Sequence, residues 1–261
     1  MHRLMRVRWA PVRLGLIRFM SHRFGIDIQE AARTDIHAYE HFNAFFTRAL
    51  KPGARPLARE PGAVLCPADG VISQIGEVEN GRIFQAKGQS FGLSELLGGD
   101  ERLARELEGG RFITLYLSPK DYHRVHMPLG GRLLRMIHVP GRLFSVAPHN
   151  VRAVPRLFAR NERLVTAWST EAGTLAQVLV GAIFVASIET VWAGEVTPPA
   201  GKKITRFDYD DGEVRLEAGE EMGRFNMGST VICVVPKGSL RWREDLRAGN
   251  PIRMGELLGK R

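Results

Sequence analysis

Three short motifs contain the residues of this 261-residue chain whose side chains could take part in chemistry. They are "CPADG", which holds Asp69, "SPKDYHRVHMP", which holds His123 and His126, and "MGST", which holds Ser229. Aspartate, histidine and serine are the side chains of a nucleophilic triad, in which a carboxylate orients an imidazole that accepts the hydroxyl proton. Taken singly, each motif also has a structural interpretation: a turn, a buried imidazole, and a corner before a strand.

The histidine motif has the capping residues of a helical turn. Ser118 can cap the turn, Pro119 suits its first position, and Pro128 ends it. On such a turn His123 and His126 share a face, whereas on a strand they would point in opposite directions. We therefore predict a turn with both imidazoles at one pocket. A His-x-x-His pair could bind a metal, but no third ligand is evident, so no metal site is predicted.

The residue before the serine is as informative as the serine itself. The chain lacks the Gly-x-Ser-x-Gly elbow and the alternating β/α pattern of the α/β hydrolases. Gly228 has no side chain, so its carbonyl can be approached closely. The hydroxyl of Ser229 could therefore attack its own preceding peptide bond. The alternative is a serine peptidase or esterase that uses Asp69, His126 and Ser229 on external substrates.

The charge of the chain indicates an anionic partner. Its net charge is +9, and residues 1–25 contain six arginines and no acidic residue. The longest apolar stretch, Leu175 to Ile188, is shorter than the roughly twenty residues that a membrane span needs. We therefore predict that the chain does not cross a bilayer. Cys66 and Cys233 form no disulfide framework or zinc spacing and are interpreted as inert buried thiols.

The first fifty residues are predicted to be helical. From Pro11 onward an apolar stripe recurs at helical spacing: Val12, Leu16, Phe19 and Met20. A second helix is predicted from Asp35, with Phe45 exposed and one apolar face made of Ile36, Tyr39, Phe42, Phe46 and Leu50. The first helix could lie in a membrane interface, or it could pack on the core with a solvated basic face.

After the linker "KPGARPLAREPG" the chain changes to short strands between glycines and prolines. The predicted strands are "VISQIGEV", "RIFQAKG", "RFITLYL", "RLLRMIHV", "RLVTAWST", "AQVLVGAIFVASI", "EVRLEAG" and "STVICVVP", with one helix around Leu93 to Glu108. Strands without alternating helices favour an antiparallel sheet. The predicted fold class is α+β: basic amphipathic N-terminal helices (1–50), then a mainly antiparallel β sandwich or barrel-like catalytic domain (51–261).

Six motifs in order resemble the phosphatidylserine decarboxylase family in its bacterial, membrane-associated form. They are "FFTRALKPGARPL", "CPADGVISQIG", "LSPKDYHRVHMP", "LFARNERL", "GAIFVASIETVWAG" and "GRFNMGSTV". The resemblance extends from about Tyr39 to Pro236.

The resemblance implies a proenzyme that cuts itself between Gly228 and Ser229 into a β chain, 1–228, and an α chain, 229–261. Asp69, His126 and Ser229 match the family's self-cleavage triad, with His126 as base and Asp69 as its orienting carboxylate. Ser229 would become an N-terminal pyruvoyl group, the covalent cofactor, which forms a Schiff base with the substrate amine. His123 matches a residue needed for decarboxylation, in proton transfer. The product would be phosphatidylethanolamine.

The implied partners are the two chains and phosphatidylserine in anionic membranes. The resemblance implies a peripheral protein on the cytoplasmic side of the inner (cell) membrane, and it leaves room for a homodimer. Nucleic acid would also explain the positive charge. However, the chain lacks the basic and aromatic signature of common RNA-binding modules, so no nucleic-acid partner is predicted.

Overall fold

The computed structural model describes residues 5–183, 187–197, 203–210, 212–226 and 229–261. Helix α1 spans Ala10–Phe24. Pro11 lies in its first turn, and Gly25 ends it with a left-handed φ of 67°. The helix buries Ile17 and Met20, whereas Phe19 is 62% exposed. Phe19, which the sequence places on the apolar stripe, thus points away from the buried side of the helix.

The second predicted helix is broken into two short pieces. Asp35 caps a 3-10 turn, Ile36–Ala38, by accepting a hydrogen bond from the His37 amide. The chain is then extended at Tyr39 and re-enters helix α2, Phe42–Phe46. Phe45 is fully buried, not exposed as predicted, because its ring packs between Tyr39 and Phe42 in a separate N-terminal cluster of apolar side chains.

The rest of the described chain is dominated by strands. They are β1 (Ala63–Leu65), β2 (Gly70–Glu77), β3 (Arg82–Ala86), β4 (Gln89–Gly92), β5 (Arg111–Leu117), β6 (Arg124–His126), β7 (Gly131–Val139), β8 (Arg163–Thr170), β9 (Gly173–Val180), β10 (Ile188–Thr190), β11 (Gly194–Glu195), β12 (Thr205–Asp208), β13 (Arg215–Leu216), β14 (Glu221–Phe225), β15 (Ser229–Val235), β16 (Arg241–Trp242), β17 (Pro251–Ile252) and β18 (Leu257–Lys260).

Four short helices lie between these strands. They are α3 (Leu93–Leu96), α4 (Glu101–Glu106), α5 (Pro148–Ala153) and α6 (Leu157–Arg160). The helix predicted around Leu93 to Glu108 is thus two helices, with Asp100 capping the second one through the Leu103 amide. Among the described residues, none of the helices has the length and apolar content that crossing a membrane requires.

All named strand pairs are antiparallel, and a nine-stranded sheet forms the centre of the fold. Its order is β12-β7-β8-β9-β15-β5-β2-β17, with β13 also pairing with β7. A four-stranded sheet, β11-β10-β14-β6, lies against it: Gln177 on β9 donates a hydrogen bond to the His126 carbonyl on β6. Because the described strands form open, layered sheets, the architecture is sandwich-like and not a closed barrel. The predicted α+β class is confirmed.

Candidate active site

Ser229 is the first residue of β15, which lies in the middle of the large sheet. The strand pairs with β5 on one side, where Ser229 is opposite Leu117, and with β9 on the other. The side chain is fully buried, and its Oγ has no hydrogen-bond partner. A buried hydroxyl without a partner costs free energy and calls for an explanation. Gly228, the predicted cleavage partner, lies outside the described residues.

His126 is the last residue of β6, so the predicted helical turn across the histidine motif is wrong. The chain makes a tight turn only from Ser118 to Asp121, because Asp121 accepts hydrogen bonds from the amide and hydroxyl of Ser118. Pairing with β14 then holds the following residues extended. The two imidazoles consequently do not share a helical face.

Each ring nitrogen of His126 has one defined partner. Nδ1 lies 2.8 Å from the carbonyl oxygen of Gly219, and Nε2 lies 3.0 Å from the hydroxyl of Tyr122. A carbonyl only accepts, so Nδ1 carries the proton and Nε2 presents a lone pair to Tyr122. Burial is the main cause that lowers the pKa of His126. His126 is therefore a neutral imidazole whose Nε2 can accept a proton.

Asp69 is held by an arginine that the sequence motifs did not single out. Arg55 Nη2 lies 2.6 Å from Oδ2, Arg55 Nε lies 2.9 Å from Oδ1, and the amide of Met254 lies 2.9 Å from Oδ1. Arg55 also binds Glu30 at 2.7 Å. The structure thus places Asp69 and His126 with other hydrogen-bond partners, and their direct pairing stays a prediction. The negative charge of Asp69 nevertheless acts on His126, where it raises the pKa.

The glycine of "CPADG" is required by the close approach of two strands. Gly70 begins β2 with a φ of 154°, and a Cβ atom there would lie 2.2 Å from the Tyr116 carbonyl oxygen on β5. No other residue can be accommodated at that distance. Gly70 therefore fixes the position of Asp69 immediately before β2.

His123 is a second neutral imidazole, and it is fully buried. Its Nδ1 lies 2.8 Å from the Asp121 carbonyl oxygen, while Nε2 has no partner. Its ring packs against Phe46 of α2 with a centroid separation of 4.0 Å. Burial, with a smaller contribution from the positive charge of Arg48, lowers the pKa of His123 to about 3. The unprotonated Nε2 is thus available to accept a hydrogen bond.

The N-terminal cluster and the chain before Ser229 are joined by a buried amide pair. Asn43 of α2 donates to Asn226 Oδ1 at 2.8 Å, and Asn226 donates in turn to the Ser187 hydroxyl. Together with the Phe46–His123 contact, this pair makes α2 one wall of the site.

A cavity of about 440 Å³ lies on the Asp69 side of the site, and His123, His126 and Ser229 are not part of its lining. Asp69 and Tyr122 line it, together with Arg48, Arg55 and Asp121. Tyr122 therefore lies between the cavity and Nε2 of His126. Sequence reasoning missed Tyr122 and Arg55: the tyrosine is inside the histidine motif, but nothing in the sequence shows that it faces His126.

Cys66 and Cys233 have the properties of unreactive thiols. Both are buried, and burial raises the pKa of Cys66 well above its usual value and that of Cys233 to about 12. The described residues contain no cluster of three His, Cys, Asp or Glu side chains with the geometry of a metal site.

Comparison with known proteins gives the class to which this fold and site belong. A family model described as phosphatidylserine decarboxylase matches residues 42–260. This chain therefore belongs to the phosphatidylserine decarboxylase family.

Individual relatives match over nearly the whole chain, and each is named phosphatidylserine decarboxylase proenzyme. A protein of Pseudomonas aeruginosa (strain LESB58) is 58% identical over 256 residues, which cover 97% of this chain and 88% of the relative. One from Ectopseudomonas mendocina (strain ymp) is 57% identical, with 97% and 89% covered. One from Pseudomonas putida (strain GB-1) is 55% identical over 258 residues, with 98% and 89% covered.

Proposed function

We propose that this chain is the proenzyme of a phosphatidylserine decarboxylase, which converts phosphatidylserine to phosphatidylethanolamine and CO₂. The observation that carries the proposal is Ser229, a fully buried serine with an unpartnered hydroxyl at the start of a central strand, directly after a glycine. Relatives named as proenzymes of this activity support it. The comparisons give no support to a serine peptidase or esterase.

Self-cleavage is the first reaction that the site would perform. Ser229 Oγ attacks the carbonyl carbon of Gly228, and Nε2 of His126 accepts the hydroxyl proton. The hydrogen bond from Nδ1 to the Gly219 carbonyl keeps the lone pair on Nε2. Tyr122 must release Nε2 for this step. The charge of Asp69 would stabilise the imidazolium that forms, since it raises the pKa of His126.

The attack would break the Gly228–Ser229 C–N bond and leave an ester on Oγ; β-elimination would then release the Gly228 carboxylate. Hydrolysis of the resulting imine would release ammonia and leave residue 229 as an N-terminal pyruvoyl group on the 229–261 chain. The position fits such a group, because Ser229 is fully buried at the start of β15 and its hydroxyl has no hydrogen-bond partner. When formed, the pyruvoyl group supplies an electron sink for the electrons left by the departing carboxylate.

The second reaction replaces the substrate carboxylate with a proton on the same carbon. We assign this proton transfer to His123, whose Nε2 is unpartnered and whose ring is fixed by Asp121 and Phe46. Because the pKa of His123 is low, its protonated ring is a strong acid, so a proton that reaches Nε2 is delivered to carbon and the ring returns to its stable neutral form.

Peripheral association with the cytoplasmic face of the cell membrane is part of the proposal. The helix α1 exposes Phe19, and Trp9 just before it is 68% exposed. Arginines accompany these apolar side chains and would contribute about 1 kcal/mol each toward anionic lipids. The division into segments 1–50 and 51–261 and the homodimer stay predictions.

The function is tested by release of labelled CO₂ from carboxyl-labelled phosphatidylserine, with gel analysis of the same preparations. The wild-type protein is expected to be cleaved and active, and Ser229→Ala to remain a single inactive chain. Ser239→Ala is the matched control, since this serine only bonds the Pro236 carbonyl in a turn. Hydrolysis of peptides or esters by an uncleaved chain, without CO₂ release, would contradict the proposal.

A further inference from the structure

Arg48, which closely follows α2, is a buried cation that self-cleavage does not use. Its side chain lines the 440 Å³ cavity, and the residue is only 4% exposed. Nη2 makes one long hydrogen bond, 3.5 Å, to the Lys120 carbonyl oxygen, and both Nε and Nη1 are without a partner. The guanidinium also lies 5.4 Å from the centre of the Phe45 ring.

Another buried arginine shows how the fold normally satisfies such a group. Arg163 is 2% exposed, and its guanidinium donates to four backbone carbonyl groups: Glu95, Leu96, Ala159 and Asn161. A buried guanidinium without partners is destabilising. Arg48 therefore has the donor capacity of Arg163 with most of it unused.

The acidic groups near Arg48 are committed elsewhere. Asp69 and Glu30 both bind Arg55. Asp121 accepts hydrogen bonds from Ser118, and burial raises the pKa of its carboxyl group. Among the ion pairs of the described residues, none involves Arg48 or Lys120. Asp27 and Glu256 also line the cavity, so its wall carries charges of both signs, but none of these carboxylates bonds the Arg48 guanidinium. An anionic ligand would supply the acceptor that Nε and Nη1 of Arg48 lack.

We propose that Arg48 binds the phosphodiester of the phospholipid headgroup in this cavity. The proposal rests on the proposed function, because phosphatidylserine carries both a phosphodiester and a carboxylate. Arginine presents a planar fork of donors that matches phosphate oxygens. The carboxylate loses its charge during the reaction, so an arginine bound to it would stabilise the substrate more than the transition state. The phosphodiester keeps its charge throughout, and binding it does not oppose the reaction.

The test compares Arg48→Met with wild type using two soluble lipids, dihexanoyl phosphatidylserine and dihexanoyl phosphatidylethanolamine. The second lipid retains the phosphodiester and lacks the carboxylate. Its Kd is measured on the uncleaved Ser229→Ala chain, with and without Arg48→Met, so that this arm does not depend on cleavage or activity. The KM and kcat for the first lipid are measured on the cleaved protein. Arg82→Met is the control, since Arg82 is an exposed residue on β3 that bonds Ser90.

The expected result is a rise of about 10- to 100-fold in the Kd for dihexanoyl phosphatidylethanolamine, the range of a charge-assisted hydrogen bond. The KM for dihexanoyl phosphatidylserine should rise by the same factor, with little change in kcat and no effect of Arg82→Met. Met at a buried, unpartnered arginine should fold. Arg48→Lys keeps the charge without the planar fork of donors, so it should raise the Kd and KM by a smaller factor. It replaces Arg48→Met in the test if that variant does not fold.

Two results would overturn the assignment. A raised KM for dihexanoyl phosphatidylserine with an unchanged Kd for dihexanoyl phosphatidylethanolamine would show that Arg48 binds the carboxylate and not the phosphodiester. No change in either the Kd or the KM would show that Arg48 has a structural role and does not bind the lipid. Failure of the wild-type protein to release CO₂, together with an Arg48-dependent Kd, would instead contradict the proposed function and support the phosphodiester site.

Discussion

At the scale of single residues, His126 is held by a carbonyl on one ring nitrogen and by a hydroxyl on the other. The Gly219 carbonyl fixes the tautomer, a task that the sequence-based prediction gave to Asp69. The Tyr122 hydroxyl is hydrogen-bonded to Nε2, the nitrogen of His126 that must act as base. The tyrosine therefore controls both the position and the basicity of His126.

Replacing Tyr122 by Phe is expected to shift the pH dependence of self-cleavage. The hydroxyl donates only to the neutral imidazole, so it favours the neutral form, and its loss raises the pKa of His126. Protonated His126 cannot act as base, so the loss of cleavage at acid pH should begin up to about one pH unit higher. The rate is measured by gel on proenzyme made by cell-free synthesis across a pH series.

Tyr209→Phe is the control for this prediction, because the Tyr209 hydroxyl bonds Trp192 away from the site. An acid limb that stays in place in Tyr122→Phe, or moves to lower pH, would show that the hydroxyl does not favour the neutral imidazole.

At the scale of elements, Arg55 ties together segments that are far apart in sequence. It joins Glu30, in the chain after α1, to Asp69 before β2, and the Met254 amide near the C-terminus completes the cluster. The side chains of Arg55 and Asp69 are 6% and 7% exposed, so the pair is largely desolvated. Removing one partner leaves an uncompensated buried charge.

Arg55→Ala is expected to lower the free energy of unfolding by about 3–5 kcal/mol. The measurement is urea unfolding of chains that also carry Ser229→Ala, so that cleavage does not complicate the transition. Arg253→Ala is the matched control, because Arg253 forms an exposed ion pair with the same Glu30: its side chain is 61% exposed and the two charged groups are 3.5 Å apart. Its loss should lower the free energy of unfolding by about 0–1 kcal/mol. Equal effects of the two variants would show that the Arg55 cluster contributes no more than a surface ion pair.

The helix α1 has structural features that each of the two alternatives left open by the sequence requires. Ile17 and Met20 pack in the N-terminal cluster, whereas Trp9 and Phe19 remain exposed beside arginines. A helix can thus be docked on its protein by one side and still offer apolar side chains to a lipid surface.

The double variant Trp9→Ser, Phe19→Ser is expected to bind anionic vesicles at least about tenfold more weakly, since it removes two large apolar side chains from the interface. Co-sedimentation with phosphatidylglycerol-containing vesicles over a salt series measures the loss. Phe84→Ser, at an exposed aromatic on β3, is the control. Equal binding by the double variant and wild type would leave α1 as a helix packed on the protein with a solvated basic face.

At the scale of the whole molecule, the sequence predicts the sheets better than it predicts the site. Apolar runs such as "RFITLYL" and "STVICVVP" become β5 and β15 because central strands are buried on both faces. The predictions for Phe45 and for the histidine turn were wrong, because packing of α2 and pairing of β6 with β14 outweigh local signals. The contacts of Arg55 and Gly219 arise only when separate segments meet, so no local pattern could reveal them. The contact of Tyr122 with His126 lies within one motif, but it depends on how the chain turns before β6.

The most direct test of the central claim is the intact mass of the purified protein before and after borohydride reduction. We predict two chains, with the smaller one comprising residues 229–261 and beginning with a ketone in place of the serine amine. Reduction should add two hydrogens to that chain and leave the 1–228 chain unchanged. An active decarboxylase that consists of one full-length chain, with the Gly228–Ser229 bond intact and no mass change on reduction, would contradict the account.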